Sequence, residues 1–98
     1  MREISLIADI VFFESAQEKF NFALKNSIRI SFWLPDSTVS TFSEIIFDNE
    51  RIELNKNYKA RINLIERDFL KGRLSENCEF KIGNYPMTIG KGKILKVL

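Results

Sequence analysis

The sequence contains no histidine. That removes the commonest general base, the commonest metal ligand and every nucleophile that depends on an imidazole partner. Cysteine occurs once, as Cys78, so no internal disulfide can form, which suits a reducing compartment. It is expected to be a small core or strand-end residue rather than a nucleophile, because no base is suggested beside it. No run approaches eighteen uninterrupted apolar residues, so no membrane span is expected. The opening "MREISLIADIVFF" places Arg2 before an apolar stretch, as a leader would, but Glu3, Ser5 and Asp9 interrupt it. No small-residue cleavage site follows, and the expectation is a cytoplasmic protein. Excess charge is also lacking: fifteen basic residues against thirteen acidic leave a net +2. The two signs are interspersed, whereas a protein that wraps nucleic acid draws most of its affinity from a dense basic surface. RNA is therefore possible but disfavoured as a partner.

What remains is ordinary globular composition, 45% hydrophobic and 29% charged over 98 residues, enough for one domain with one modest core. Nine phenylalanines, one tryptophan and two tyrosines supply its bulk. The apolar period is two nearly everywhere. In "SIRISFWL" Ile28, Ile30, Phe32 and Leu34 alternate with Ser27, Arg29, Ser31 and Trp33. In "NYKARINL" Tyr58, Ala60, Ile62 and Leu64 alternate with Asn57, Lys59, Arg61 and Asn63. Both read as strands with one wet face. "ISLIADIVFF" is apolar on both faces apart from Ser5 and Asp9 and reads as a more central strand. Shorter candidates are "FNFAL", "SEIIFD", "RIEL", "EFKIG" and the terminal "KILKVL". "LPDS" (Leu34 to Ser37) ends one strand, "DNE" (Asp48 to Glu50) has the residues of a tight hairpin, and "LNKN" precedes another strand. "ERDFLKGRLSEN", broken by Gly72, suits a helical turn or a long loop. Seven or so short strands in one domain predict a small antiparallel barrel or sandwich.

The tail "GNYPMTIGKGKILKVL" raises the question of a phosphate loop. Such a loop needs two glycines separated by four residues, then lysine, then a hydroxyl residue, then a helix. Here six residues separate Gly83 from Gly90, Gly92 stands where the hydroxyl belongs, and "KILKVL" is too short and too strand-like for the helix. The alternative is that Gly90 and Gly92 permit a bulge or a close backbone approach as a strand curls to close a sheet. We expect the second.

That tail also resembles the end of the third domain of elongation factor Tu and related translational GTPases. The family pattern is an aromatic-x-Ile element, a short polar turn, Thr-(Val/Ile)-Gly-x-Gly and a final hydrophobic strand. Phe80, Ile82, Thr88, Ile89, Gly90, Gly92, Ile94, Lys96 and Val97 fit it without a gap. "NKNYKARINLI" and "LIADIVFF" are similar, more weakly, to earlier strands of that domain. The resemblance implies an all-β fold, a small antiparallel Greek-key β-barrel of about six to seven strands occurring without the GTPase domain, and hence no nucleotide. In the family this domain helps to hold aminoacyl-tRNA and a nucleotide exchange factor. Where the family carries Arg-Glu-Gly-Gly-Arg in the turn, this chain has Gly83, Asn84, Tyr85, Pro86 and Met87. Where it carries a lysine after the penultimate long strand, this chain has Glu66, and the Arg-His turn after the first strand is replaced by "ESAQEKF", with Lys19 alone basic. A carboxylate beside a phosphate repels it.

No cofactor, metal or catalytic residue is expected. The acid pairs Glu66/Asp68 and Asp48/Glu50 have the spacing of solvated turn acids, and no cluster has metal-ligand spacing. The candidate residues are for partner binding: Arg29, Trp33, Lys59, Arg61, Asn84 and Tyr85. Alternation sets Trp33 on the face of Arg29 and Ser31, either as an exposed aromatic–arginine pair of the kind enriched at hot spots or as a residue covered by a loop or a second copy. Lys59 and Arg61 occupy a wet strand face, and Tyr85 with Pro86 forms either an apolar contact tip or a rigid cover for the barrel end. The leading expectation is a non-catalytic barrel that binds a macromolecule, a protein or a second copy of itself. The alternatives are a tRNA or rRNA accessory and a small immunity or regulatory protein.

Overall fold

The computed structural model describes residues 3–14, 27–48 and 52–98. Six strands form in chain order: β1 (Glu3–Phe12), β2 (Ser27–Trp33), β3 (Thr41–Phe47), β4 (Asn57–Ile65), β5 (Glu79–Asn84) and β6 (Met87–Val97). A single 3-10 turn, Asp68–Leu70, lies between β4 and β5. All pairings are antiparallel, and the order β1-β4-β3-β2-β5-β6 closes on itself. The chain is an all-β closed barrel of six strands, and among the described residues no helix is long and apolar enough to cross a membrane.

The alternating side chains fill the interior. Leu6, Ala8, Ile10 and Phe12 of β1 face inward, as do Ile28, Ile30 and Phe32 of β2 and Ala60, Ile62 and Leu64 of β4. Phe12, Phe32 and Phe80 are the largest fully enclosed side chains, and the Phe32 and Phe80 rings stack at 4.7 Å. Three large rings in a narrow barrel require small residues opposite them. Gly90 and Gly92 are those residues: Gly90 lies opposite Phe12 and Ile82, and Gly92 opposite Ile10 and Phe80. A Cβ on Gly92 would run into the Phe80 ring and sit 2.6 Å from the Asp9 carbonyl oxygen, far inside contact distance. The close approach expected at the two glycines is therefore present. One bulge falls beside Gly90, where Ile89 is the extra residue of β6 against β5, and a second lies further on, where Leu95 is extra against β1.

The phosphate-loop alternative also ends here. Gly90, Lys91 and Gly92 lie in mid-strand, paired on both sides by β1 and β5, so their backbone is committed to two ladders.

Several sequence expectations need correction. β3 starts two residues before "SEIIFD", at Thr41, and "KILKVL" is only the last part of the eleven-residue β6. The tight hairpin expected at "DNE" lies outside the described residues apart from Asp48; β3 ends at Phe47 and β4 begins at Asn57. The connection is long because Ile52 returns to the core, where it is buried. "RIEL" is not a strand over Ile52–Leu54, and its Arg51 falls outside the described residues, as do "FNFAL", Lys19, Asn49 and Glu50. The turns at Leu34–Ser37, at Leu54–Asn57 and around Gly72 (φ 71°) form where expected, and Asn55 adopts φ 60° while its N–H donates to the Phe12 carbonyl.

Candidate docking face

The outer side of β2, β3 and β4 carries side chains in rows set by the register. In one row Phe42 lies opposite Ser31, and the β3–β4 register brings it level with Ile65, whose own partner is Glu3. In the next row Arg29, Glu44, Asn63 and Ser5 follow one another across four strands. In the third, Ile46 meets Arg61, which meets Ile7. Phe42 is 69% exposed and Ile46 37%, unusual for large apolar groups on regular strands. The inward positions of β3 explain the phase. Ile45 and Phe47 must enter the core, so Phe42, Glu44 and Ile46 must face out.

A polar network frames the apolar residues. The Arg29 Nε lies 3.7 Å from Glu44 Oε2, with the arginine side chain 89% exposed. Ser5 Oγ donates to Asn63 Oδ1 at 2.7 Å, and Arg61 Nε donates to the same oxygen at 3.4 Å. Below them Ser43 Oγ donates to the Ile30 carbonyl at 2.8 Å and Thr41 Oγ1 to the Ile65 carbonyl at 2.7 Å. Both inward hydroxyls are thereby satisfied. An open cleft of about 960 Å³ borders this face, lined by Phe42, Arg29, Glu44 and Ile65 together with Gly83 and Asn84.

The sequence candidates divide. Arg29 and Asn84 line the same cleft, and Arg61 lies one row away on the same face. Lys59 is exposed but belongs to a different row, opposite Asp9, which in turn faces Lys93. Trp33 is not an exposed hot spot: it retains 4% of its surface, because the half-buried Tyr85 packs against it with ring centroids 5.1 Å apart. The hairpin tip covers the second face of β2, and Tyr85 is that cover. The exposed aromatic beside Arg29 is Phe42, which sequence reasoning missed; the signal was the alternation Phe42–Glu44–Ile46 against Ile45 and Phe47.

The remaining groups are plain. Asp36 accepts two hydrogen bonds from Arg73 Nη2, at 2.7 and 2.8 Å, and that contact holds its carboxyl below the ordinary 3.8. Asp68 is exposed and pairs with Lys71 at 3.3 Å. Cys78 is half-buried just before β5, its carbonyl accepting from the Ile94 N–H, and it packs against the core as expected. Among the described residues no three metal-ligating side chains are grouped. No protein-family model matches the chain, and no curated protein is significantly similar to it.

Proposed function

We propose that this protein is a non-catalytic barrel that docks a macromolecular partner, a protein, through the outer face of β2, β3 and β4. One observation carries the reading: Phe42 stands exposed on a regular strand in an open cleft that Arg29 also lines, with Arg61 further along the same face. Aromatic and arginine side chains together dominate the energetics of protein interfaces. An RNA partner is less well supported. In the row Glu79–Lys93–Asp9–Lys59 the charges alternate in sign, and the like-charged pair Lys81–Lys91 in the neighbouring row is a small basic patch beside it.

The resemblance to the third domain of elongation factor Tu agrees with this reading. The resembling tail forms β5 and β6, and β1 lies beside β4 rather than beside β2, the order a Greek key requires. A partner in translation and a cytoplasmic setting are part of the proposal on that basis.

The test is affinity capture from the source cells with the intact chain and with Phe42→Ala as bait, at low and high salt. A partner that is a protein, is lost with Phe42→Ala and persists at high salt supports the reading. A partner retained by Phe42→Ala removes the face from the account, and a partner shed steeply with salt turns it toward nucleic acid.

A further inference from the structure

β2 is paired unequally on its two sides. β3 accompanies it from Ser27 to Phe32, whereas β5 reaches it only at Ser31, Phe32 and Trp33. Beyond Ser31, β5 turns away. Its residue opposite Ser31 is Gly83, and two residues later the chain reverses through Tyr85 and Pro86, with Tyr85 laid on Trp33. Backbone N–H and C=O groups alternate sides along a strand. Whichever phase β2 adopts, two of the four residues Ser27–Ile30 point these groups to the side that β5 has left. Among the described residues no backbone hydrogen bond reaches them from that side. The stretch is about 13 Å long, at the usual rise per residue. The cleft reaches its second half, where Arg29 and Ile30 line it together with Gly83 and Asn84.

We propose that Ser27–Ile30 is a receptor edge, and that an extended peptide segment of a protein partner adds to it as a further strand. This deepens the docking reading and rests on it: the segment would enter beside the Phe42 face and continue the same sheet. A strand edge recognises main chain first, and alternate side chains give the selectivity. On the outer side the guanidinium of Arg29 sits next to the gap. Its ion pair with Glu44, at 3.7 Å, is beyond hydrogen-bond reach, which suits a second carboxylate from the open side. On the inner side the neighbours are the buried Ile28 and Ile30, which favour an apolar residue. The fitting segment is extended, free of proline, acidic on one face and aliphatic on the other.

Residue-resolved amide exchange tests this. In the protein alone, two alternate amides of Ser27–Ile30 should exchange fast while their neighbours, bonded to β3, stay protected. The probe is a synthetic octapeptide alternating valine with glutamate and threonine, with a proline-substituted and a lysine-for-glutamate version as controls. The valine–glutamate peptide should slow the two fast amides by about tenfold or more at saturation. The proline version should not, and the lysine version should bind more weakly. Protection of all four amides without peptide means the edge is already filled and overturns the proposal. So does the absence of slowing at millimolar peptide. Slowing confined to Ser43 and Glu44 also overturns the edge while leaving docking at Phe42 intact, so the two readings fail separately.

Discussion

Trp33 and Tyr85 meet edge to face, with ring centroids 5.1 Å apart and planes at 88°, across the shortest ladder of the barrel. Inside the same seam Phe32 and Phe80 stack at 4.7 Å and 26°. Three ladder pairs close β2 onto β5, and an aromatic pair on each side of the sheet holds them. The seam is thus braced by side chains where backbone pairing is least.

That arrangement predicts a measurable coupling. Trp33→Ala removes a buried indole and should cost about 3–5 kcal/mol in denaturant unfolding. Tyr85→Ala should cost less, since Tyr85 is half-buried, but it uncovers Trp33. The double mutant should be milder than the sum by about 0.5–1.5 kcal/mol, the usual worth of an aromatic pair beyond its area. Strict additivity would mean that Trp33 is covered by something other than Tyr85.

Gly92→Ala tests the closure of the barrel. The added methyl meets the Phe80 ring and the Asp9 carbonyl at once, so either the ring or the β1–β6 ladder must move. Overpacking of this kind costs about 1–3 kcal/mol. Adding Phe80→Leu should recover part of the loss by vacating the ring's place, and the carbonyl contact should keep recovery incomplete. Thermal melts of the two variants and the wild type would show the order. A Gly92→Ala variant as stable as the parent would contradict the close approach.

The sequence announced β2 and β4 because their inward residues are aliphatic or aromatic and their outward ones polar. It marked β3 only from Ser43 onward, because the pattern inverts at the start of that strand. Ser43 is polar yet faces the core, satisfied by the Ile30 carbonyl, and Phe42 is apolar yet faces out. A reading based on polarity cannot place such a pair; only the fixed phase of Ile45 and Phe47 does. Trp33 was ambiguous for a different reason, since its cover comes from a hairpin far along the chain. Arg29 and Asn84 were legible singly, but that they share a cleft depends on where β5 stops, which is a property of register rather than of either residue. The bulges at Ile89 and Leu95 are likewise products of two partners with different demands.

Asp36 and Arg73 join the turn after β2 to the loop after the 3-10 turn, and their link should titrate. The carboxyl of Asp36 is held below its ordinary 3.8 chiefly by the hydrogen bonds from Arg73. A depressed folded pKa gives stability that is present above the unfolded value and is lost as pH falls through the folded one. The wild type should therefore melt slightly above Asp36→Asn at neutral pH, and the two should converge as pH falls through the lowered folded value. Both side chains are solvent-exposed, so high salt should shrink the difference. A gap that persists in acid would place the contribution elsewhere.

Phe42 separates docking from folding. Its ring is 69% exposed, so Phe42→Ala should change stability by no more than about 0.5–1 kcal/mol, the range of surface and strand-propensity effects. Phe32→Ala, in the same sheet but fully enclosed, should cost about 3–5 kcal/mol. Binding should invert that order. At the centre of an interface an aromatic truncation costs about 2 kcal/mol or more, roughly thirtyfold in affinity. Arg29→Ala should fall between Phe42→Ala and a control at the distant Lys93. The measurement is a titration of the captured partner against each variant, after circular dichroism has shown that the variant keeps its sheet. Equal affinity for Phe42→Ala and the wild type would leave the ring exposed without a use and would remove the central residue of the proposed face.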